Sequence, residues 1–397
     1  MSAAINADQA TDRNISASLL LNAAHALDHL VLLIFAAAVG AIAADFGFAR
    51  WEDLMPYTAG AFFAFGLGSL PAGRLGDTWG RRSMMLVFFF GIGAALLLVA
   101  LTQNAVQMAV ALTLVGVFAA IYHPVGIPML VQGSARPGRT IGINGLAGNL
   151  GIALAALLTG LLVKYLGWRA AFVAPALLAF LLGFLFARVA PEESAPPARR
   201  APSRGELPPG VVARALAVIT VAATSASLIF NFTTNGNGEM LRQRMQAVIA
   251  DPAALGLLLA IVYTIASFAQ LIVGRLIDRF PIKRLMLSIV ALQVPLFAVA
   301  AYAQGWTFFV LAILFMAFVF GAIPFTDALV VRYVDDRMRS RAAGMRLAIS
   351  FSISSIAVYL LGPLVKASGF AFLLLTMAAI ATLTLAAAAW LPGLHKH

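Results

Sequence analysis

Residues 73–82 read GRLGDTWGRR, and residues 274–284 read GRLIDRFPIKR. Gly73, Leu75 and Asp77 thus return 201 positions later as Gly274, Leu276 and Asp278. At an offset of 202, Arg139, Gly142, Gly160, Leu162, Val163, Lys164 and Gly167 return as Arg341, Gly344, Gly362, Leu364, Val365, Lys366 and Gly369. One unit of about half the chain has therefore been written twice with the same polarity. In a membrane protein such duplication places a solute pathway between the halves.

Composition makes the membrane the expected solvent. Hydrophobic residues are 62% of the chain and charged residues 11%, whereas soluble domains carry about 25% charged residues. A spanning helix needs about 20 apolar residues. Twelve segments meet that length: 15–44, 54–75, 83–101, 106–131, 140–166 and 170–189, then 211–232, 251–277, 285–303, 306–331, 341–366 and 370–391. The expected fold class is an all-α polytopic membrane protein, twelve transmembrane helices in two six-helix pseudo-symmetric bundles. The N-terminal bundle takes residues 1–189, a cytoplasmic linker 190–210, and the C-terminal bundle 211–397. The linker, rich in Pro, Arg and Ala, lacks any apolar period.

Cations set the orientation. With both termini inside, all 27 Lys and Arg residues fall on the cytoplasmic side except Arg50, Lys164, Arg169, Arg242, Arg244 and Lys366. That bias matches the positive-inside rule. The formal charge of +11 then reflects insertion and lipid contact rather than nucleic-acid binding. No cleavable signal is evident in the polar first 14 residues. The chain has no Cys, which excludes disulfides and thiolate metal sites. A multi-pass protein of a bacterial inner membrane, monomeric and without cofactor, is expected.

These segments carry a resemblance. Twelve helices in two similar halves, with Gly73, Leu75, Asp77, Gly80, Arg81 and Arg82 in the second inner position and Gly274, Asp278 and Arg279 at its repeat, resemble the major facilitator superfamily. The resemblance implies a transporter in which helices 1, 4, 7 and 10 line the pathway and the loop motif governs the conformational equilibrium. AHALDH at 24–29, AIYHPVG at 120–126 and GNLG at 148–151 are similar to patches of fosmidomycin-resistance-type exporters. Val125 stands where those exporters are expected to carry an acid, and the helix 5 run INGLAGNLGIA lacks the proline of drug antiporters.

Polar residues within the apolar segments carry the chemistry. His25, Asp28 and His29 stand at i, i+3 and i+4 on one face of helix 1, with Asn22 a turn away. Ionisable groups at this depth mark a substrate or proton route unless they form a satisfied interhelical cluster. Helix 4 adds Tyr122 and His123, followed by Pro124 and Pro128, which remove backbone donors. Pro324 is the repeat of Tyr122, so helix 10 is expected to break there, ahead of Thr326 and Asp327. The repeat of His29 is Asn231, within FNFTTNGNGE. Asn231, Thr233, Thr234, Asn235 and Asn237 either line the pathway from helix 7, loosened by Gly236 and Gly238, or form an outer loop. Asp327 and Arg346 stand near the inner ends of helices 10 and 11, as a gate pair or as surface charges.

Three functions use these residues. The first is a proton-coupled secondary transporter, antiporter or symporter, in which Asp28 and the histidines exchange protons with a small polar or drug-like solute. No phosphate-binding loop for ATP is present. The second is transition-metal transport on His25, Asp28, His29 and His123, with Met240 or Met245 as a candidate further ligand. The third, an intramembrane metallohydrolase, uses the H-x-x-D-H spacing of His25, Asp28 and His29, a shortened form of a metallopeptidase arrangement.

Overall fold

Each half of the chain builds its own set of helices. The computed structural model describes residues 2–132, 137–190, 209–333 and 336–392, and the chain divides into two compact units, Met1–Ala198 and Arg199–His397. Most of the expected linker, 191–208, lies outside the described residues.

In the first unit, α1 is Ser2–Asp45. A short helical approach from Trp51 leads into α2, Ala59–Trp79. α3 is Arg81–Ala100. The fourth segment begins as α4, Ala105–Ala119, widens to a π-turn at Tyr122–Gly126, and resumes over Ile127–Val131. α5 is Pro137–Leu166 and α6 is Trp168–Val189. The second unit holds α7, Pro209–Met245, α8, Pro252–Arg279, α9, Ile282–Ala300, and α10, Gly305–Tyr333. The last helical stretch, Asp336–Trp390, is divided by a non-helical Gly369 into α11 (336–368) and α12 (370–390).

Among the described residues ten helices are long and apolar enough to cross a membrane. The stretch divided at Gly369 counts once in that number, and α2, diluted by its glycines and Arg74, falls outside it. Among the described residues the architecture is thus all-helical and polytopic, with six helical segments in each unit.

The duplicated glycines earn their places at turns. Gly167 and its repeat Gly369 hold φ of 85° and 74° between α5 and α6 and between α11 and α12, a region where a Cβ is strained. Gly80 (φ 90°) makes the α2–α3 turn in the same way. The doubled loop glycines are not equivalent, however. A Cβ on Gly73 would meet Pro124 at 3.2 Å, and one on Gly76 would meet Val125 at 2.9 Å, so α2 closes directly on the π-turn. A Cβ on Gly274 would meet nothing within 4 Å.

The cations of the motif show the same repeat in three dimensions. Arg82 donates through Nη2 to the Ala187 carbonyl (2.7 Å) and through Nε to that of Ala190 (3.1 Å), closing the end of α6. Its counterpart Lys283 donates to the Leu391 carbonyl at 2.8 Å, the residue 201 positions after Ala190. Arg81 is buried and donates to Gln132 Oε1 at 3.2 Å. Asp77, Asp278 and Arg279 are exposed. Cations at a helix C-terminus satisfy carbonyls that lack intrahelical donors. Arg82→Ala is therefore expected to lower apparent stability by about 1–2 kcal/mol, with Arg82→Lys recovering part of it. Thermal unfolding of the two variants in one detergent checks this, and equal unfolding of Arg82→Ala and the parent protein would refute it.

One expectation needs correction, and one pair of alternatives is decided. Helix 10 is not broken at Pro324: α10 runs from Gly305 to Tyr333 with the proline inside it. The neighbouring turns supply enough hydrogen bonds to carry the chain past one missing donor. Helix 7 likewise continues through Gly236 and Gly238 to Met245, so FNFTTNGNGE is helix and not an outer loop.

Candidate functional site

The i, i+3, i+4 spacing on α1 does what helical geometry dictates, bringing His25, Asp28 and His29 towards α4 and α5. The π-turn of YHPVG presents Tyr122 and His123 to the same point; such turns widen a helix by one residue and recur at functional sites. Glycines on α5 let α1 approach closely. A Cβ on Gly148 would fall 2.7 Å from His25 Cε1 and 2.8 Å from His29 Cδ2, and one on Gly151 would overlap the Ala26 carbonyl.

His25 Nδ1 lies 2.6 Å from the Asn144 carbonyl oxygen. That oxygen only accepts, so Nδ1 carries the hydrogen and Nε2 is left with its lone pair. His29 Nε2 then donates to His25 Nε2 at 3.2 Å. Tyr122 stacks on His25 with ring centroids 4.8 Å apart, and its hydroxyl donates to the Leu21 carbonyl at 2.8 Å. Asn144 Nδ2 donates both to Tyr122 Oη (2.7 Å) and to Asn22 Oδ1 (3.0 Å). Asn22 returns a hydrogen bond to the Ser18 carbonyl. One amide on α5 thus ties α1 and α4 together behind the imidazoles.

His123 closes the group from the other side. Its ring sits edge-on to those of His25 (5.1 Å) and His29 (5.7 Å) and is covered by Phe65 (5.8 Å). Its Nε2 is 3.6 Å from Asp28 Oδ2. Asp28 is wholly buried, and among the described residues neither of its oxygens accepts a hydrogen bond. The ligand nitrogens of His25, His29 and His123 all lie within 4.8 Å of one another. Chemically the group can hold a proton or a cation. An isolated buried carboxylate is strongly unfavourable, whereas one facing an imidazolium or a metal ion is not.

In the second unit, neutral residues stand at the repeat positions of His25 and His29. Ser227, the repeat of His25, donates to the Ser350 carbonyl at 2.6 Å and lies 3.1 Å from Ser354 Oγ. Asn231, the repeat of His29, donates to Ser354 Oγ at 2.8 Å. Thr233, Thr234, Asn235 and Asn237 are all buried along α7. Asn235 Nδ2 is held by the Asn231 carbonyl, while Thr233 and Thr234 bond back to the preceding turn. Thr326 is buried on α10. The side chains of Asp327 and Arg346 lie outside the described residues.

The structure therefore gathers Asn22, His25, Asp28, His29, Tyr122 and His123 into one cluster. Sequence reasoning missed Asn144 as its organiser. The available signal was the repeat itself, since Asn144 aligns with Arg346 and marks a position where the halves diverge.

The pattern of two six-helix units with polar groups buried in their helices meets its match among known proteins. A sequence model of the major facilitator superfamily matches residues 21–241. The chain belongs to this family. It accordingly takes its place in a superfamily of membrane transporters. A puromycin resistance protein of Streptomyces alboniger is 35% identical over 109 residues, 27% of this chain and 22% of that protein. A tetracenomycin C resistance and export protein of Streptomyces glaucescens is 31% identical over 154 residues, 37% of this chain and 28% of that one. The matched parts thus span about a quarter of these curated relatives. Among solved structures, a D-xylose–proton symporter superposes with a TM-score of 0.75 at 15% identity, covering 94% of this chain and 96% of its own. At that identity the likeness speaks for the superfamily fold alone.

Proposed function

We propose that this superfamily member is a proton-coupled secondary transporter that moves a small polar or drug-like organic solute across the cytoplasmic membrane by alternating access. In this reading residues 1–189 and 211–397 are its two moving bundles, with both termini and the 190–210 linker on the cytoplasmic side. The observation that carries it is Asp28, wholly buried in an apolar helix and 3.6 Å from His123 Nε2. A single proton shared by this pair leaves it neutral overall, whether it sits on carboxylate or imidazole. A second proton makes the pair cationic, and that charge must be expelled or compensated before the site returns. Such pairs titrate as a unit. Ionisable groups held at this depth are expensive and typify proton relays.

Supporting the substrate class, the α7 run from Asn231 to Asn237 buries amides and hydroxyls, which favours hydrogen bonding to a neutral or zwitterionic solute. The named relatives are a puromycin resistance protein and a tetracenomycin C resistance and export protein, which keeps drug-like compounds within range.

The test begins with a thermal-shift screen of solutes, because a ligand that binds only the folded state raises apparent stability by mass action. The best ligand is then added to vesicles containing the protein, a pH-sensitive dye and an imposed pH gradient. Solute-dependent proton movement is expected. Solute flux indifferent to the gradient and unaccompanied by protons would overturn the coupling.

A further inference from the structure

We propose that His25, His29 and His123 form a binding site for one divalent first-row transition-metal ion of the zinc class. Four observations converge on it. First, the ligand nitrogens of all three lie within 4.8 Å of one another. Second, one edge already has the right length. His25 Nε2 and His29 Nε2 are 3.2 Å apart, and two nitrogens each about 2.0 Å from a tetrahedral ion are separated by about 3.3 Å.

Third, His25 has the outer support that metal-bound imidazoles carry. Its Nδ1–H is donated to the Asn144 carbonyl at 2.6 Å, which fixes the ring and aims the Nε2 lone pair at the shared point. His29 then needs only to move its ring hydrogen from Nε2 to Nδ1, with no net loss of a proton, for both Nε2 atoms to ligate. His123 brings the third nitrogen to within 4.8 Å of the other two from the π-turn, so binding an ion must shorten the remaining edges. Fourth, the charge is in place. Asp28 is fully buried and accepts no hydrogen bond among the described residues, so a dication beside it supplies the countercharge that three neutral imidazoles lack. Imidazole with carboxylate suits zinc and its first-row neighbours.

Gly148 belongs to the same design. Any Cβ there would meet both His25 and His29 at under 3 Å, so the ring pair exists only because that residue has no side chain.

This proposal adds a ligand to the cluster used by the proton-coupling reading, and it is tested without any gradient, so the failure of either is seen apart from the other. Metal-stripped full-length protein in detergent, free of any affinity tag, is dialysed against buffered zinc and the bound metal is counted. About one zinc per chain is expected. Cobalt in its place should give the intense visible absorption of a tetrahedral, nitrogen-ligated ion. The double variant His25→Gln/His29→Gln and the single variant Gly148→Leu should each weaken zinc binding at least tenfold. A control, His395→Gln/His397→Gln, removes the only other histidines in the chain and should bind as the parent does. Zinc lost in that control but kept in His25→Gln/His29→Gln would overturn the site. A parent protein that binds no zinc and gives no cobalt spectrum would overturn it as well, whatever the folding of the variants.

Discussion

Asp28→Asn is expected to abolish proton-driven accumulation of the solute while leaving solute exchange across the membrane intact. Asparagine keeps the size of the side chain and its capacity for hydrogen bonds, so the packing around the fully buried position is preserved. What it cannot do is release or accept a proton, and the Asp28–His123 pair becomes a lone imidazole beside an amide. One pH unit of gradient is worth about 1.4 kcal/mol, or about tenfold accumulation for one proton moved per solute. The parent protein should approach that ratio, and Asp28→Asn should stay near unity. Exchange of labelled for unlabelled solute needs no net proton movement and should persist. Undiminished solute-dependent proton flux in Asp28→Asn vesicles would remove Asp28 from the mechanism.

The fold was legible because its strongest signals are local. Apolar runs of spanning length, glycines at helix-joining turns and cations at helix ends are each set by a few neighbouring residues. Duplication then showed them twice, as in Gly167 with Gly369, and in Arg82 with Lys283. The face shared by His25, Asp28 and His29 was legible for the same reason, since helical spacing alone determines it. Asn144 was not, because its role is made by contacts to Tyr122, Asn22 and His25 on two other helices, and no spacing within α5 encodes them. Prolines proved ambiguous in a related way. Pro124 stands in a π-turn and Pro324 inside a continuous helix. One residue type thus gives two outcomes, decided by how the surrounding helix re-forms its hydrogen bonds. The α7 run was ambiguous because amides and glycines suit both outer loops and buried polar faces, and only burial separates them.

Gly151→Val is expected to lower the apparent unfolding temperature sharply and to disconnect the histidine cluster. α5 crosses α1 where a Cβ on Gly151 would overlap the carbonyl oxygen, carbonyl carbon and Cα of Ala26. These are backbone atoms, so no rotamer change can make room, and the helices must separate. Overpacking of this kind costs about 1–3 kcal/mol in well-packed interiors, and a clash with backbone belongs at the upper end of that range. The damage should reach the site because Gly148 and Asn144 lie on the same helix and hold the rings of His25 and His29 and the hydroxyl of Tyr122. Gly142→Val provides the control. It makes the same chemical change in the same helix where a Cβ meets nothing within 4 Å, so it reports helix propensity alone, and valine is no worse than glycine there. Thermal unfolding of the two variants and the parent in one detergent separates the effects. If Gly151→Val unfolds with Gly142→Val and the parent, α1 and α5 are not held at backbone contact, and the support inferred for the histidines fails with it.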